Sequence, residues 1–357
     1  MRSNRQRLGA SMVALLLAAS AAAAQQPDAA PSAPPPAPAL PVPCSAEEHC
    51  PPPACPCDCP SPWLLVTFGD FIYWNVRGVD LVYAQPMNTC APTAVPVGPL
   101  AVLRPDYSPG FRIGGGVTFG RDAALRGTFT WLRNTTTNAV AAPDGALLRT
   151  SLEHPNALTC PFDSLSAAGT SDFDLRLVDL DYSHVLAEGT SWRCGGLVGL
   201  RYGHLDQEAL ATYSNLETTT VRSAVRFDGV GPRAGLGGRY HLGYGLQLYG
   251  NSVISLLAGS FRSDFRQVNT FVGRQAFVNF NDDRIVPVLE MEMGVGWSNS
   301  GGRLHVQAGY YLAGWFNAVT NPTFINAVQT GNFSRNGDAL RDRLTLDGLT
   351  ARMELRF

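Results

Sequence analysis

The sequence predicts an all-β chain: a transmembrane antiparallel β-barrel of about ten strands, in a family of sizes where about eight to twelve fit the pattern, with short periplasmic turns and long external loops. Three observations predict it. Period-two alternation runs through stretches far longer than globular strands. The connections between those stretches alternate strictly between a few residues and many. The chain ends on an alternating strand with a terminal Phe357. Composition agrees. Charged residues are 16% of the 357, against roughly 25% in soluble domains, so much of the surface does not face water. Mean hydropathy is near zero, and no stretch from Trp63 onward supplies the about 20 apolar residues a membrane helix needs. The formal net charge of −2, with 27 basic residues that are all Arg, excludes a nucleic-acid partner held by basic surface.

Residues 1–24 read as a secretory signal peptide. Arg2, Arg5 and Arg7 precede a short apolar run with Val13, Leu15, Leu16 and Leu17, and Ala22, Ala23 and Ala24 supply the small residues before a cut at Gln25. Residues 25–62 carry 14 of the 26 prolines and read as a disordered periplasmic linker. Cys44, Cys50, Cys55, Cys57 and Cys59 lie there with His49. Zinc sites pair cysteines across a folded spacer; here Pro56 and Asp58 alternate with them and no second half follows, which favours disulfides or thiol crosslinks in an oxidising compartment over a metal knot. Residues 63–357 form the barrel.

Ten alternating runs fall at 63–76, 109–120, 123–133, 172–186, 190–206, 221–242, 245–262, 284–298, 302–317 and 344–357. In the eighth, Ile285, Pro287, Leu289, Met291, Met293, Val295 and Trp297 share one face and Glu290, Glu292, Gly294 and Gly296 the other. The ninth repeats this with Leu304, Val306, Ala308, Tyr310, Leu312 and Phe316 against Arg303, His305, Gln307 and Tyr311. The first run is apolar on both faces and leaves its orientation open. Near Leu177 and Val178 the alternation slips, which suggests a bulge. Connections after the even runs are short; those at 77–108, 134–171, 207–220, 263–283 and 318–343 are long. An even strand number puts both termini on the periplasmic side. Trp63, Tyr73, Trp74, Trp131, Trp192, Tyr240, Tyr244, Trp297 and Trp315 lie near run ends, as aromatic girdles would. Leu349, Ala351, Met353, Leu355 and Phe357 alternate to the last residue, and Met353, Leu355 and Phe357 resemble the signal read by outer-membrane barrel assembly machinery.

Two stretches carry a family resemblance. The first is Asp172-Phe173-Asp174-Leu175-Arg176-Leu177-Val178-Asp179-Leu180-Asp181-Tyr182. The second runs from Arg226-Phe227-Asp228-Gly229 through Gly231-Pro232-Arg233-Ala234-Gly235 to Leu248-Tyr249-Gly250-Asn251 and Ser255-Leu256-Leu257-Ala258-Gly259. From Trp63 to Phe357 the chain resembles the Legionella-type major outer membrane protein family, which implies a pore-forming barrel in the cell outer membrane.

The faces turned from lipid hold the candidate site. Glu290, Glu292, Arg303, His305, Arg352, Glu354 and Arg356 line the lumen, joined by Arg233, Arg239 and His241, and by Arg193 and Arg201. One reading is a selectivity constriction of carboxylates facing arginines; the other is a salt-bridge plug in a bore that side chains can fill. Cys90 and Cys160 fall in the first two long connections and can form a loop disulfide; Cys194 reads as a small wall residue. The six His lack any Gly-x-Ser-x-Gly or His-Glu-x-x-His context, so no enzyme, no metal site and no cofactor are expected. The expected partners are outer-membrane lipid, the assembly machinery and small solutes or ions, with a homo-oligomer left open. The expected function is passive passage of small polar solutes or ions; the alternative is a closed structural or surface-interaction barrel acting through its external loops.

Overall fold

A computed structural model describes residues 63–357 apart from 90, 92, 121, 158–163 and 334–339. The expected signal peptide, the linker cysteines and the Cys90–Cys160 pair therefore lie outside the described residues. Ten antiparallel strands close into a barrel: β1 (Trp63–Arg77), β4 (Ser108–Phe119), β5 (Ala123–Ala141), β7 (Ser166–Glu188), β8 (Trp192–Ser214), β9 (Thr218–Gly243), β10 (Leu246–Asn269), β11 (Gly273–Ser298), β12 (Leu304–Ala318) and β13 (Asp342–Arg356). Each pairs with its neighbour in sequence, and β13 returns to β1. Closure reaches the last residue: the Phe357 N–H donates to the Leu65 carbonyl at 2.9 Å, and the Leu65 N–H to the Phe357 carbonyl at 3.2 Å. The two-residue turn after β9 has positive φ at both Tyr244 and Gly245 (53° and 81°), the geometry that matches the twist of paired strands.

The strands are longer than the alternating runs. β9 and β11 each have 26 residues. At about 3.4 Å per residue and a tilt of roughly 40° they rise about 65 Å, well beyond an apolar band about 25 Å tall. Two expected long loops are consequently strand. Residues 207–220 and 263–283 continue β8 into β9 and β10 into β11, closing in tight turns at 215–217 and 270–272. Their alternation is hard to see because its polarity reverses.

That reversal also replaces the expected bulge at Leu177. The β7–β8 register runs unbroken through Leu177 and Val178 and shifts only between Val185 and Ala187. Below this level Val178, Leu180, Tyr182 and Leu186 are exposed on the outside, while Asp179 is buried inside. Above it Asp172, Asp174 and Arg176 face outward, and Phe173, Leu175 and Leu177 are buried inside. β8 does the same: Val198, Leu200 and Tyr202 are exposed below, His204, Asp206 and Glu208 point out above, and Leu205, Ala209 and Tyr213 fill the interior. The chain alternates throughout; what changes is the solvent. In the bilayer the outside is apolar, and beyond it the barrel is a water-facing wall around a hydrophobic core.

That core is completed by the long connections. Between β1 and β4 lie β2 (Leu81–Met87) and β3 (Ala101–Leu103); between β5 and β7 lies β6 (Leu147–Thr150). They form a three-stranded sheet in the order β3-β2-β6. The connection before β13 carries a helix, α1 (Asn321–Thr330), started by Thr320 and Pro322 and ended by left-handed Gly331. Its buried Phe324, Ile325, Ala327 and Val328 join the core of Leu81, Tyr83, Leu103 and Leu148. The cap is tied to the wall: the Tyr213 hydroxyl donates to the Tyr83 carbonyl at 2.7 Å, Gln207 to the Val319 carbonyl at 3.1 Å, and Gln329 to the Ser151 and Glu153 carbonyls at 2.8 and 3.0 Å. Burial pushes the Tyr213 phenol well above its ordinary pKa.

The first strand takes a definite orientation: Val66, Phe68, Ile72 and Trp74 point inward, and Leu65, Phe71 and Tyr73 outward. Trp74 and Trp315, expected in the girdles, are buried in the lumen at 0% and 1% exposure. Trp63, Trp192, Tyr240, Tyr244 and Trp297 stay exposed on the outer wall.

The polarity reversal is testable along one strand. Leu200 and Leu210 both point outward on β8, one in the apolar band and one above it. Leu200→Arg should cost about 2–4 kcal/mol and abolish the heat-modifiable mobility of the assembled barrel; Leu210→Arg should assemble as well as the parent. Separately, deletion of Phe357 removes the terminal pair with Leu65 and should lower the yield of assembled barrel in outer-membrane fractions, because an open edge cannot sit in lipid.

Candidate functional site: the charged lumen

Within the membrane band the lumen-facing side chains are charged, and the register decides which meet. Arg201 on β8 lies beside Asp179 on β7 and reaches across the bore. Its Nε and Nη2 donate to Asp179 at 2.6 and 2.8 Å, and its Nη1 donates to Glu290 of β11 at 2.6 Å. Arg233 on β9 binds Asp179 at 2.5 Å, Asp181 at 3.1 Å and Glu290 at 3.5 Å. The Tyr311 hydroxyl donates a further short hydrogen bond to Glu290. Gly199 sits opposite Arg233 in the β8–β9 register; any Cβ there would collide with the Asp181 carboxylate, so glycine lets the carboxylate and guanidinium pack flat against the wall.

A second group faces the first. Arg352 of β13 forms a fork on Asp70 of β1 at 2.7 and 2.8 Å. Arg112 of β4 binds Asp70 at 3.2 Å and Glu292 at 3.4 Å, and Glu292 accepts from the Tyr249 hydroxyl at 2.9 Å. The Arg112 guanidinium also lies 5.4 Å from the Trp74 ring and 5.5 Å from the Tyr311 ring, within cation–π range. Those two rings stack on each other at 4.1 Å. Above them Phe227 packs against Phe261 at 4.6 Å and Trp315 at 6.5 Å.

The layer is dry: side-chain exposure is 3% for Arg201, 5% for Asp179, 8% for Arg233 and 7% for Glu290. Below it lies a cavity of about 590 Å³ that reaches the rim at the short-turn end, where Gly120, Asp122 and Leu64 line it. Glu354 and Arg356 of β13, Arg126 of β5, and Arg193 and Arg239 of the β8–β9 pair belong to this lower chamber. His305 is buried at its side, in contact with Gln247 at 2.9 Å and Ser298 at 2.7 Å.

Of the residues singled out in the sequence, Glu290, Glu292, Arg233, Arg201 and Arg352 are brought into the charged layers, Arg193, Arg239 and Arg356 line the chamber, and His305 and Glu354 are buried beside it. Arg303 is a correction. It lies exposed in the turn between β11 and β12, not in the lumen, because that strand begins at Leu304. His241 is exposed at the lower rim. Sequence reasoning missed Asp70, Arg112, Arg126, Asp179 and Asp181. Asp179 and Asp181 carried a readable signal, an alternating acid pair on the face opposite Leu180 and Tyr182. Asp70 sits alone in a strand apolar on both faces, and Arg112 borders a run of glycines. Cys194 is a free, half-buried thiol on the wall.

Glu290 is the acceptor that Arg201, Arg233 and the Tyr311 hydroxyl share across the bore, so Glu290→Gln should lower stability in denaturant unfolding by about 1.5–3 kcal/mol, the scale of a lost hydrogen bond to a charged group, with both arginines keeping Asp179. Glu292→Gln should cost clearly less, because Glu292 has one arginine contact, at 3.4 Å, and the Tyr249 hydroxyl.

Comparison with known proteins gives three results. The family described as the Legionella pneumophila major outer membrane protein precursor matches residues 70–353. No curated protein matches the chain. Among solved structures, the outer membrane protease OmpT from Escherichia coli is similar at 9% identity and a TM-score of 0.43, covering 83% of this chain and 96% of its own. The Pseudomonas putida toluene transporter TodX gives 10% identity and 0.33, with 82% and 89% covered. A Pseudomonas aeruginosa FadL homologue gives 7% identity and 0.23, with 83% and 90% covered.

Proposed function

The chain belongs to the Legionella major outer membrane protein family and resides in the cell outer membrane, and from that premise we propose that it is a non-catalytic barrel, closed to solutes as folded, that presents a rigid platform outside the cell. One observation carries this reading: the bore is crossed by the buried Arg201–Asp179–Arg233–Glu290 layer with the Trp74–Tyr311 stack and the Phe227–Trp315 core above it. A water-filled path needs polar groups that water can reach, and these are spent on each other. The energy invested above the bilayer supports the same view. Five strands of 23 to 26 residues, the three-stranded sheet and α1 build a packed water-facing body, more than a passive hole requires.

A second reading, passage of small polar solutes or ions, draws on the lower chamber. It opens the bore from the short-turn rim up to the charged layer, and conduction then requires that layer and the aromatic core above it to move aside.

Planar bilayers separate the two. The parent barrel should show no steady conductance, and Trp315→Ala combined with Phe227→Ala should introduce leak by removing the ring contact above the charged layer. Steady, ion-selective current from the parent protein would overturn the closed reading in favour of the second.

A further inference from the structure

We infer that the lower chamber is a binding site for a phosphate-class oxyanion, held by Arg239 with Arg193, Arg126 and Arg356. The argument starts from strand register. Arg193 and Arg239 are directly opposite each other on β8 and β9, in unbroken register with lumen-facing Arg201 and Arg233. Both line the chamber. Like charges directly opposite across a pair of strands repel, so this pairing is a cost unless negative charge sits between or beside them.

The protein's own carboxylates do not supply that charge. Glu354, 1% exposed, is shared by Arg356 at 2.8 Å and Arg126 at 3.7 Å. Glu188 binds Arg193 at 2.6 Å, but it is half exposed at the strand end, where such a pair is weak. Asp181 is taken by Arg233. The Arg239 guanidinium has no hydrogen bond or ion pair among the described residues, with Glu354 acting on it only at longer range, and the buried Nε of Arg126 has no acceptor. The cavity is also lined by Asp122 and, at its upper end, by Asp179, Asp181, Glu290 and Glu292, which serve Arg112, Arg201 and Arg233. At its lower end Arg126, Arg193, Arg239 and Arg356 have only Glu354 and the exposed Glu188, so unused guanidinium donors face the chamber.

Guanidinium forks match tetrahedral oxyanions by paired N–H donors, which selects phosphate over chloride. The chamber's about 590 Å³ is many times the about 30 Å³ of one water, so it accommodates a hydrated phosphate or a small phosphomonoester entering from the periplasmic rim. The site does not depend on whether the lumen conducts, since it lies below the charged layer.

Calorimetric titration of the full barrel in zwitterionic detergent with inorganic phosphate, at ionic strength balanced by chloride, tests it. The expected result is saturable one-to-one binding that Arg239→Gln weakens at least tenfold, while Arg303→Gln, with the same charge change at an exposed turn, leaves it intact. Arg193→Gln is the second variant should Arg239→Gln not assemble, and the parent titration stands without either. Glycerol 1-phosphate distinguishes the sources: tighter binding than inorganic phosphate assigns the site to a phosphomonoester, weaker binding to the free ion. Absence of saturable heat beyond the chloride control overturns the inference, as does equal weakening by Arg303→Gln and Arg239→Gln.

Discussion

Every strand edge that lies in hydrocarbon must be paired, because an unsatisfied backbone group there costs several kcal/mol and no water is present to replace the partner. The rest of the molecule follows from that constraint. It forces β13 back onto β1, down to the mutual hydrogen bonds of Phe357 and Leu65. Closure in turn creates an inside. With ten strands the inside is narrow enough for side chains to meet across it, which is why Arg201 can bind Asp179 on the adjacent strand and Glu290 on the far wall at once. Charges excluded from the lipid face are thus concentrated in a space where they must find one another.

The dry charged layer would be expensive as isolated ions. Its members are instead multiply shared: Glu290 meets two arginines and the Tyr311 hydroxyl, and Asp70 meets Arg112 and Arg352. Fork geometry and shared partners are the conditions under which buried ion pairs offset their desolvation. Arginine suits this role better than lysine, since the guanidinium offers five donors in a fixed plane and stacks on rings as Arg112 does on Trp74. The chain's basic residues are all Arg, and in the charged layers Arg201 and Arg352 use the fork and Arg112 the planar face.

Much of the fold was legible in the sequence because alternation at period two survives at the level of single residues: the Leu289–Glu290 and Met291–Glu292 neighbours declare their faces unaided. What was not legible in the strands has one physical origin: apolar means outward only within the bilayer. Where β7 leaves it at Leu177, Leu175 turns from wall to core and Arg176 from lumen to surface with no change in backbone phase, and the continuation of β8 through Ala209 and Ala211 looked like loop for the same reason. The lumen was half legible. Glu290 and Glu292 stand out between apolar neighbours, but Asp70 and Arg112 join them only through strand closure, a contact between residues far apart in sequence that spacing cannot reveal.

The reversal of polarity along the strands also fixes how deep the barrel sits. Just above the apolar band the outer wall carries Asp174 and Arg176 on β7, His204 and Asp206 on β8, Arg226 and Asp228 on β9 and Arg262 on β10. A downward slide of one residue pair would draw the lowest of these toward hydrocarbon, and a charge at the midplane costs about 2–4 kcal/mol. An upward slide would lift Val178, Tyr202 and Val230, the outward residues just beneath that ring, toward water. The wall is its own depth gauge: displacement along the membrane normal is opposed in both directions by the same alternating residues that close the barrel.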